Sequence, residues 1–529
     1  DAVDTNVLEL IDGQQRMTTI TLLLAAIHSI LDEHKDELDE DSQADLTNLR
    51  RQLVRKQDQQ PRVRPQRQSH NLEDYLTILD QAGLPVDPSP VNYMPLRKIS
   101  RCYSHFTQEI HSYAEAKGVS ATAAALEVLS AVSKAIIVKI EVDTHADAFV
   151  LFESLNNRGM PLTPVDLIKN HLLAESERHQ VMDVELAFKH WNQILDNLGD
   201  NYANQERFLR HYYNAFKSDL PPVPKAPVAT RSNLIRIYEG LVAAQGVRPF
   251  IDAITPASSL YGRITGRNSQ GRELDEQLAA LARAQGAPSY ILLLFLLAQA
   301  DHRQIPESDL VAVTRLLTNF FVRRNLTGIP QTYALPRIFM DIIDATKDTG
   351  GTGIPRVVSD ALRSHSASDE LFRERLLGPV YEDAADVTRF LLTSLALDGM
   401  TKETYQDLWA REKTHYIWTI EHILPQGTNL PTAWQEMLGG KERAAELQSA
   451  HAHRLGNLTI TGYNSSLGNK SFQEKMDRKD SKGNWIGYRN GLNLNADVVS
   501  ESEWTAEHIT KRTERLADVI LAKFPLDMA

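Results

Sequence analysis

Two β-prone runs in the last quarter of the chain constrain its fold most. Tyr416-Ile-Trp-Thr-Ile-Glu-His-Ile-Leu424 stops at Pro425, and Leu455-Gly-Asn-Leu-Thr-Ile-Thr461 leads through Asn464 and Asn469 toward a helix near 471–476. Between the runs, apolar spacing predicts two short helices at 432–438 and 441–450. Proline ends the first run because it has no N–H for a strand ladder. Strand, long loop, strand, helix is the order of a small ββα finger.

Elsewhere the pattern is mostly helical. Residues 5–12 read as a short strand ending at Gly13, and Met17 to Ile30 has the spacing of a helix. The run Ala135-Ile-Ile-Val-Lys-Ile-Glu-Val142 reads as a second strand. Helix is expected again at 146–155, followed by a turn at Asn156-Asn-Arg-Gly159. A further helix is expected from Asp166 to Glu175, with Thr163-Pro164 as its cap and first turn. Seven basic residues between Arg50 and Arg67 read as an exposed loop or helix end. From about 180 to 400 the sequence is helical in period and carries no nameable chemistry, with linker candidates at 220–228 and 349–355. A length of 529 residues suits two or three domains. The single cysteine, Cys102, excludes an intrachain disulfide framework and a cysteine zinc site, and it points to a reducing cytoplasm. The apolar run Tyr290 to Ala300 is far shorter than a bilayer span and reads as a buried helix; a membrane partner is not expected. No signal peptide is expected, and because the chain opens at Asp1 rather than Met an N-terminal piece is expected to be missing.

The first chemical constellation is Glu421-His422, with Asn457 and then Asn464 and Asn469. Phosphodiester hydrolysis needs a base to deprotonate water, and in a one-metal scheme a hard cation held by oxygen ligands. His422 offers the base and Glu421 a carboxylate ligand. Adjacent strand residues point to opposite faces, so a twist or the Pro425 break must bring both to one site. Asn457 would fix the histidine's loop, and Asn464 or Asn469 would add a neutral oxygen ligand. The bland alternative is that the histidine is structural and both later asparagines cap turns. Net charge is −12, yet Arg454 to Arg489 holds seven Lys or Arg against three Asp or Glu. Lys470, Lys475 and Arg478 are therefore candidate DNA phosphate contacts.

The second constellation is Asp12-Gly13-Gln14-Gln15-Arg16 at a strand-to-helix turn. Gly13 permits close backbone approach, helix N-terminal amides suit a phosphate, and Arg16 can hold one bidentately. Asp12 would hold magnesium or a ribose. The alternative is a plain turn with Arg16 paired to a nearby acid.

Together these residues resemble a known family. Ile420-Glu-His-Ile-Leu-Pro-Gln426, Arg454-Leu-Gly-Asn-Leu-Thr-Ile460 and Asn464-Ser-Ser-Leu-Gly-Asn-Lys-Ser-Phe472 with Lys475 resemble the HNH domain of GmrSD-like type IV, modification-dependent restriction endonucleases, a group with SspE-like relatives. Trp504 and the closing helix to Phe524 resemble that domain's ending. The resemblance implies His422 as general base, Glu421 as metal ligand, Asn457 as the middle motif position, and Asn464 or Asn469 as the third. The family's ParB-like partner domain resembles Leu8-Glu-Leu-Ile-Asp-Gly-Gln-Gln-Arg-Met-Thr-Thr-Ile20, and again Phe152-Glu-Ser-Leu-Asn-Asn-Arg-Gly-Met-Pro-Leu162 with Asp166-Leu-Ile-Lys-Asn170. It implies a nucleotide pocket completed by Glu153, Asn156, Arg158 and Lys169. In the family a Gln-Arg and aromatic segment precedes the first motif by several dozen residues. Only eleven residues precede Asp12 here, and nucleotide turnover and modification sensing depend on that segment.

The expected architecture is mainly α with small β elements (α+β). It comprises an N-terminally incomplete ParB-like domain at 1–175, a helical scaffold at 176–397 and a ββα-metal HNH domain at 398–529. The expected function is a nucleotide-regulated, modification-dependent DNA endonuclease or nickase, cytoplasmic and used against foreign DNA. Its expected cofactors are Mg²⁺ or Mn²⁺ and GTP or ATP, and a homo-oligomer is allowed. The rival readings are a nucleotide-binding switch whose finger binds nucleic acid without cutting, and an RNA-directed HNH nuclease.

Overall fold

The computed structural model describes residues 10, 13–65, 71–87, 97–141, 163–179, 182–350, 353–413 and 415–527. By contacts the chain divides into two compact units, 1–166 with 177–180, and 167–176 with 181–529. The fold is mainly α, and every strand among the described residues is short and antiparallel.

The first unit is built on helix α1 (Gln14–Glu33), which starts at Gly13 in the left-handed region, φ 89°. It packs against α2 (Glu40–Leu53), α4 (Lys98–Lys117) and α5 (Ala121–Ser133), while α3 (Asn71–Gln81) packs on α4. The small residues Ala25 and Ala26 on α1 and Ala124 and Ala125 on α5 let these backbones approach, and Leu22, Ile30, Tyr75, Ile78 and Ile110 fill the space between helices. Asp39 and Ser120 cap α2 and α5 by accepting from Ser42 and Ala123 backbone N–H groups. The basic stretch runs from the last turn of α2 into a mostly exposed loop closed by a bridge between Val54 and Pro61.

The strand expected at 135–142 is not formed over its described residues, 135–141. Residues 135–141 have no regular structure, and Ile136, Ile137, Val138 and Ile140 are exposed. A β-branched run becomes a strand only by pairing its N–H and C=O groups, and no partner strand occurs among the described residues of this unit. The strand expected at 5–12, the helix at 146–155 and the turn at 156–159 lie outside the described residues, apart from Leu10.

Helix α6 (Pro164–His179) is capped by the Thr163 hydroxyl, which accepts from Asp166 N–H, as the Thr-Pro pair predicts. The second unit holds the helical middle and the C-terminal finger together. Its scaffold comprises α7 (Val184–Leu198), α8 (Tyr202–Phe216), α9 (Leu234–Gln245), α10 (Val247–Ile264), α11 (Glu273–Arg283), α12 (Tyr290–Ala298), α13 (Glu307–Thr327), α14 (Leu335–Thr346), α15 (Ile354–His365), α16 (Asp369–Leu376) and α17 (Val380–Asp398). The apolar run at 290–297 is a buried helix as expected, enclosed by α8, α10 and α14. No helix among the described residues is long and apolar enough to cross a membrane.

The finger begins with a small hairpin, β1 (Arg411–Glu412) and β2 (His415–Tyr416). It continues with β3 (Thr419–His422), α18 (Thr432–Met437), α19 (Lys441–His451), β4 (Leu458–Thr461), α20 (Asn464–Leu467), α21 (Phe472–Met476), α22 (Ala496–Val499) and α23 (Ala506–Lys523). Strands β3 and β4 pair antiparallel, with Glu421 opposite Thr459 and His422 opposite Leu458. The expected strand at 416–424 is therefore two pieces, and Leu455–Asn457 is a 3-10 turn that leads into β4. Ile423, Leu424, Trp434, Phe472, Met476, Tyr488 and Trp504 form the finger's core. The chain end is fastened to the scaffold: Asn319 Nδ2 donates to Pro525 O at 2.7 Å and Ser359 Oγ donates to Leu526 O at 2.6 Å. Scaffold and finger belong to the same compact unit.

Candidate active site

The Gly-Asn-Leu motif is the mechanical centre of the finger. A Cβ on Gly456 would lie 2.1 Å from Ile509 O and 2.5 Å from Thr513 Oγ1, so only glycine allows α23 to press against this turn. Arg512, buried on α23, donates to Gly456 O and Leu458 O at 2.7 and 2.8 Å, which fixes the backbone on both sides of Asn457.

Asn457 is fully buried and uses its whole amide. Oδ1 accepts from Leu424 N–H at 2.8 Å and from Trp504 Nε1–H at 3.1 Å; Nδ2 donates to Leu424 O and Ala452 O, both at 2.9 Å. Its own carbonyl accepts from Ile423 N–H at 2.9 Å. The residue thus holds the chain immediately after His422, and Trp504 couples it to the closing segment, where it stacks on Phe472.

His422 ends β3 and is 6 % exposed. Its Nε2 lies 3.3 Å from Nδ1 of His453, with the two rings perpendicular at 88°. Tyr381 presents an edge-to-face contact to His422, 4.7 Å between centroids, and stacks nearly parallel on His453. Helix α17 is bent at Ala384, and Tyr381, in the turn before that bend, donates its N–H to His453 O at 3.2 Å. Burial, followed by the charges of His453 and Lys475, drives the His422 pKa down to about 3. Its imidazole is therefore neutral at neutral pH, the form that can accept a proton.

Glu421 has different neighbours from His422, as alternation along a strand requires. Lys475 Nζ donates to Glu421 Oε1 at 2.6 Å, to His422 O at 2.7 Å and to Ile423 O at 3.2 Å, and Tyr488 donates its hydroxyl to the same carboxylate oxygen at 3.3 Å. Both ion-pair partners are buried. Burial pushes Glu421 above the usual carboxylate range and Lys475 below the usual amine range, and their mutual attraction partly offsets both shifts.

Two of the expected roles fall on residues that are paired with each other. Lys475, expected as a DNA phosphate contact, has its ammonium buried on three protein oxygens and so is not presented at the surface where a phosphate would meet it. Glu421, expected as a metal ligand, has its Oε1 paired with the Lys475 ammonium in this structure. Asn464, half-buried at the start of α20, turns its Nδ2 toward Ile420 O at 2.7 Å and Thr419 Oγ1 at 3.2 Å, tying that helix to β3. Asn469 is exposed and donates to Asn429 O at 2.6 Å. Among the described residues no group of three or more His, Cys, Asp or Glu is placed to hold a metal ion. Lys470 is half-exposed and Arg478 exposed, so both are accessible to a polyanion.

Sequence reasoning missed His453 and Tyr381. His453 stands four residues before Asn457, a spacing that a motif reading can flag; Tyr381 comes from the helical middle, which had no chemical signal at all. In the first unit, Gly13, Gln14, Gln15 and Arg16 form the start of α1, and Gln14 Nε2 donates to Leu10 O at 2.8 Å. The exposed Arg16 guanidinium curls back to within 3.7 Å of the Cβ position at Gly13. Lys169 lies half-exposed on α6. Asp12, Glu153, Asn156 and Arg158 lie outside the described residues.

No curated protein matches the chain. The profile of the GmrSD restriction endonuclease N-terminal domain matches residues 1–173 and spans the Gly13–Arg16 turn. That of the GmrSD restriction endonuclease C-terminal domain matches 366–519. The second match includes Tyr381, Glu421, His422, His453, Asn457, Lys475 and Trp504, every residue that builds the site above. With both domain profiles matched in order, the chain belongs to the GmrSD restriction endonuclease family.

Proposed function

We propose that this restriction endonuclease cuts or nicks modified DNA by an HNH-type reaction in which His422 is the general base. The observation that carries the reading is the lock on the loop after β3. Asn457 spends four side-chain hydrogen bonds on holding the segment beside His422, more than a turn requires. A base must be held within hydrogen-bond reach of its proton, and such rigidity supplies that. Neutral His422 takes a proton from water; a nearby phosphate anion would raise its pKa from about 3 and strengthen it as a base. Lys470 and Arg478 would contact the DNA backbone. Magnesium or manganese is also proposed, from the family resemblance, which would have Glu421 with Asn464 or Asn469 hold the ion and the ion stabilise charge on the phosphate.

The N-terminal unit is proposed to bind GTP or ATP at the Asp12–Arg16 turn, the residues at the start of α1 supplying amides and a guanidinium for phosphate. The test is cleavage of modified against unmodified plasmid with and without each nucleotide, alongside nucleotide titration of wild type and Arg16→Ala. Cleavage that prefers modified DNA, and tighter nucleotide binding by wild type, support the reading. Equal cleavage of both plasmids removes modification dependence, and equal nucleotide affinity removes the phosphate role. The near-complete burial of His422 favours one rival: a finger that binds DNA without cutting it. DNA binding without cleavage, under conditions where the nucleotide is supplied, would select that reading.

A further inference from the structure

We infer that His453 is a positioning residue that fixes the tautomer of His422. The inference rests on the reading of His422 as base. The Nε2 of His422 and the Nδ1 of His453 are 3.3 Å apart, and two neutral imidazoles at that distance share a single proton on the line between them. There are two ways to place it. If His453 donates, the Nε2 lone pair of His422 is occupied and its remaining proton sits on Nδ1, so the ring has no free lone pair to accept a proton. If His422 donates from Nε2, its Nδ1 lone pair is free. Only the second arrangement makes His422 a base, and it requires His453 to present an unprotonated Nδ1.

The surroundings hold that acceptor in place. Tyr381 stacks on the His453 ring at 12° between planes and meets the His422 ring at 88°, so one aromatic side chain braces both imidazoles. The backbone of His453 is held by the N–H of the same Tyr381. On the other side, the Lys475 ammonium binds His422 O, fixing the strand end from which the ring projects. When His422 abstracts a proton from water, one O–H bond breaks and one Nδ1–H bond forms. The hydroxide oxygen bonds phosphorus, and the P–O bond to the leaving oxygen breaks with its electron pair staying on that oxygen, which takes a proton from solvent water. The Nε2–H of the new imidazolium still points at the His453 acceptor until its Nδ1 proton is returned to solvent.

The experiment uses the full chain with two His453 variants. His453→Asn keeps an acceptor close to the Nδ1 position, whereas His453→Phe keeps the ring that stacks on Tyr381 but removes the acceptor. The expected result is that His453→Phe loses about 10- to 100-fold in kcat, the scale for partners that orient a histidine ring, with KM for DNA unchanged. His453→Asn should retain most of the activity. In ¹⁵N-histidine NMR, wild-type His422 should be the Nε2–H tautomer and should shift toward a mixture in His453→Phe. A packing role predicts the reverse order of activities. The inference is overturned if His453→Phe cuts as well as wild type, if His453→Asn is as impaired as His453→Phe, or if wild-type His422 carries its proton on Nδ1. Failure of the base reading itself would show separately, as a His422→Ala protein that cuts at the wild-type rate.

Discussion

Asn457 and Leu424 exchange two hydrogen bonds: the asparagine Oδ1 accepts from the leucine N–H at 2.8 Å while its Nδ2 donates to the leucine C=O at 2.9 Å. A side-chain amide here completes a backbone ladder that Pro425, with no N–H, interrupts. Asn457→Asp should disrupt this exchange, because a carboxylate leaves Leu424 O and Ala452 O without donors at a fully buried site. Each orphaned carbonyl costs about 1–3 kcal/mol. Chemical denaturation should show a loss of that order, and cleavage should fall with it. Stability equal to wild type would mean that the loop is held by something else.

The buried pair Glu421–Lys475 makes a second prediction. Removing one partner leaves an uncompensated buried charge, at a cost of roughly 3–5 kcal/mol, whereas replacing both with apolar residues of similar size is far better tolerated. Lys475→Met and Glu421→Gln should each lower the unfolding midpoint, and Glu421→Leu combined with Lys475→Met should recover much of the loss. If Glu421 is instead a metal ligand, Glu421→Gln will leave the midpoint unchanged without metal and abolish only the stabilisation that added Mn²⁺ gives to wild type.

Much of this region was legible in the sequence. Apolar spacing located α18 and α19, a helix was expected where α21 forms, and Pro425 marked the end of the first strand run. What was not legible was the direction of each side chain. Counting Lys475 with Lys470 and Arg478 treated a charge as exposed because lysine usually is, yet the residue spacing of α21 turns Lys475 inward beside Met476, onto Glu421. Tyr381 reaches His422 through a tertiary contact from a helix about forty residues away, and no local pattern encodes that. Residues 135–141 carried every local mark of a strand, but strand formation depends on a partner, which is a property of the whole fold.

The depressed pKa of His422 gives a pH prediction. The unfolded imidazole titrates near 6.5 and the folded one near 3, so unfolding takes up a proton between those values. The stability that neutral His422 contributes is thus present above pH 6.5 and is lost as pH falls toward 3. His422→Asn removes this proton uptake. The stability difference between wild type and variant should therefore shrink on acidification, with a slope of at most about 1.4 kcal/mol per pH unit. A difference that stays constant from pH 7 to pH 4 would show that His422 is not held neutral by its surroundings.

The central claim is that His422 performs the proton transfer in DNA cleavage. The most direct measurement is single-turnover cleavage of a susceptible plasmid by wild type and His422→Ala, with DNA affinity and folded stability measured on the same preparations. Loss of a general base is expected to lower the rate by about 100-fold or more while DNA binding persists. A His422→Ala protein that is folded, binds the plasmid and cuts it at the wild-type rate would contradict the account.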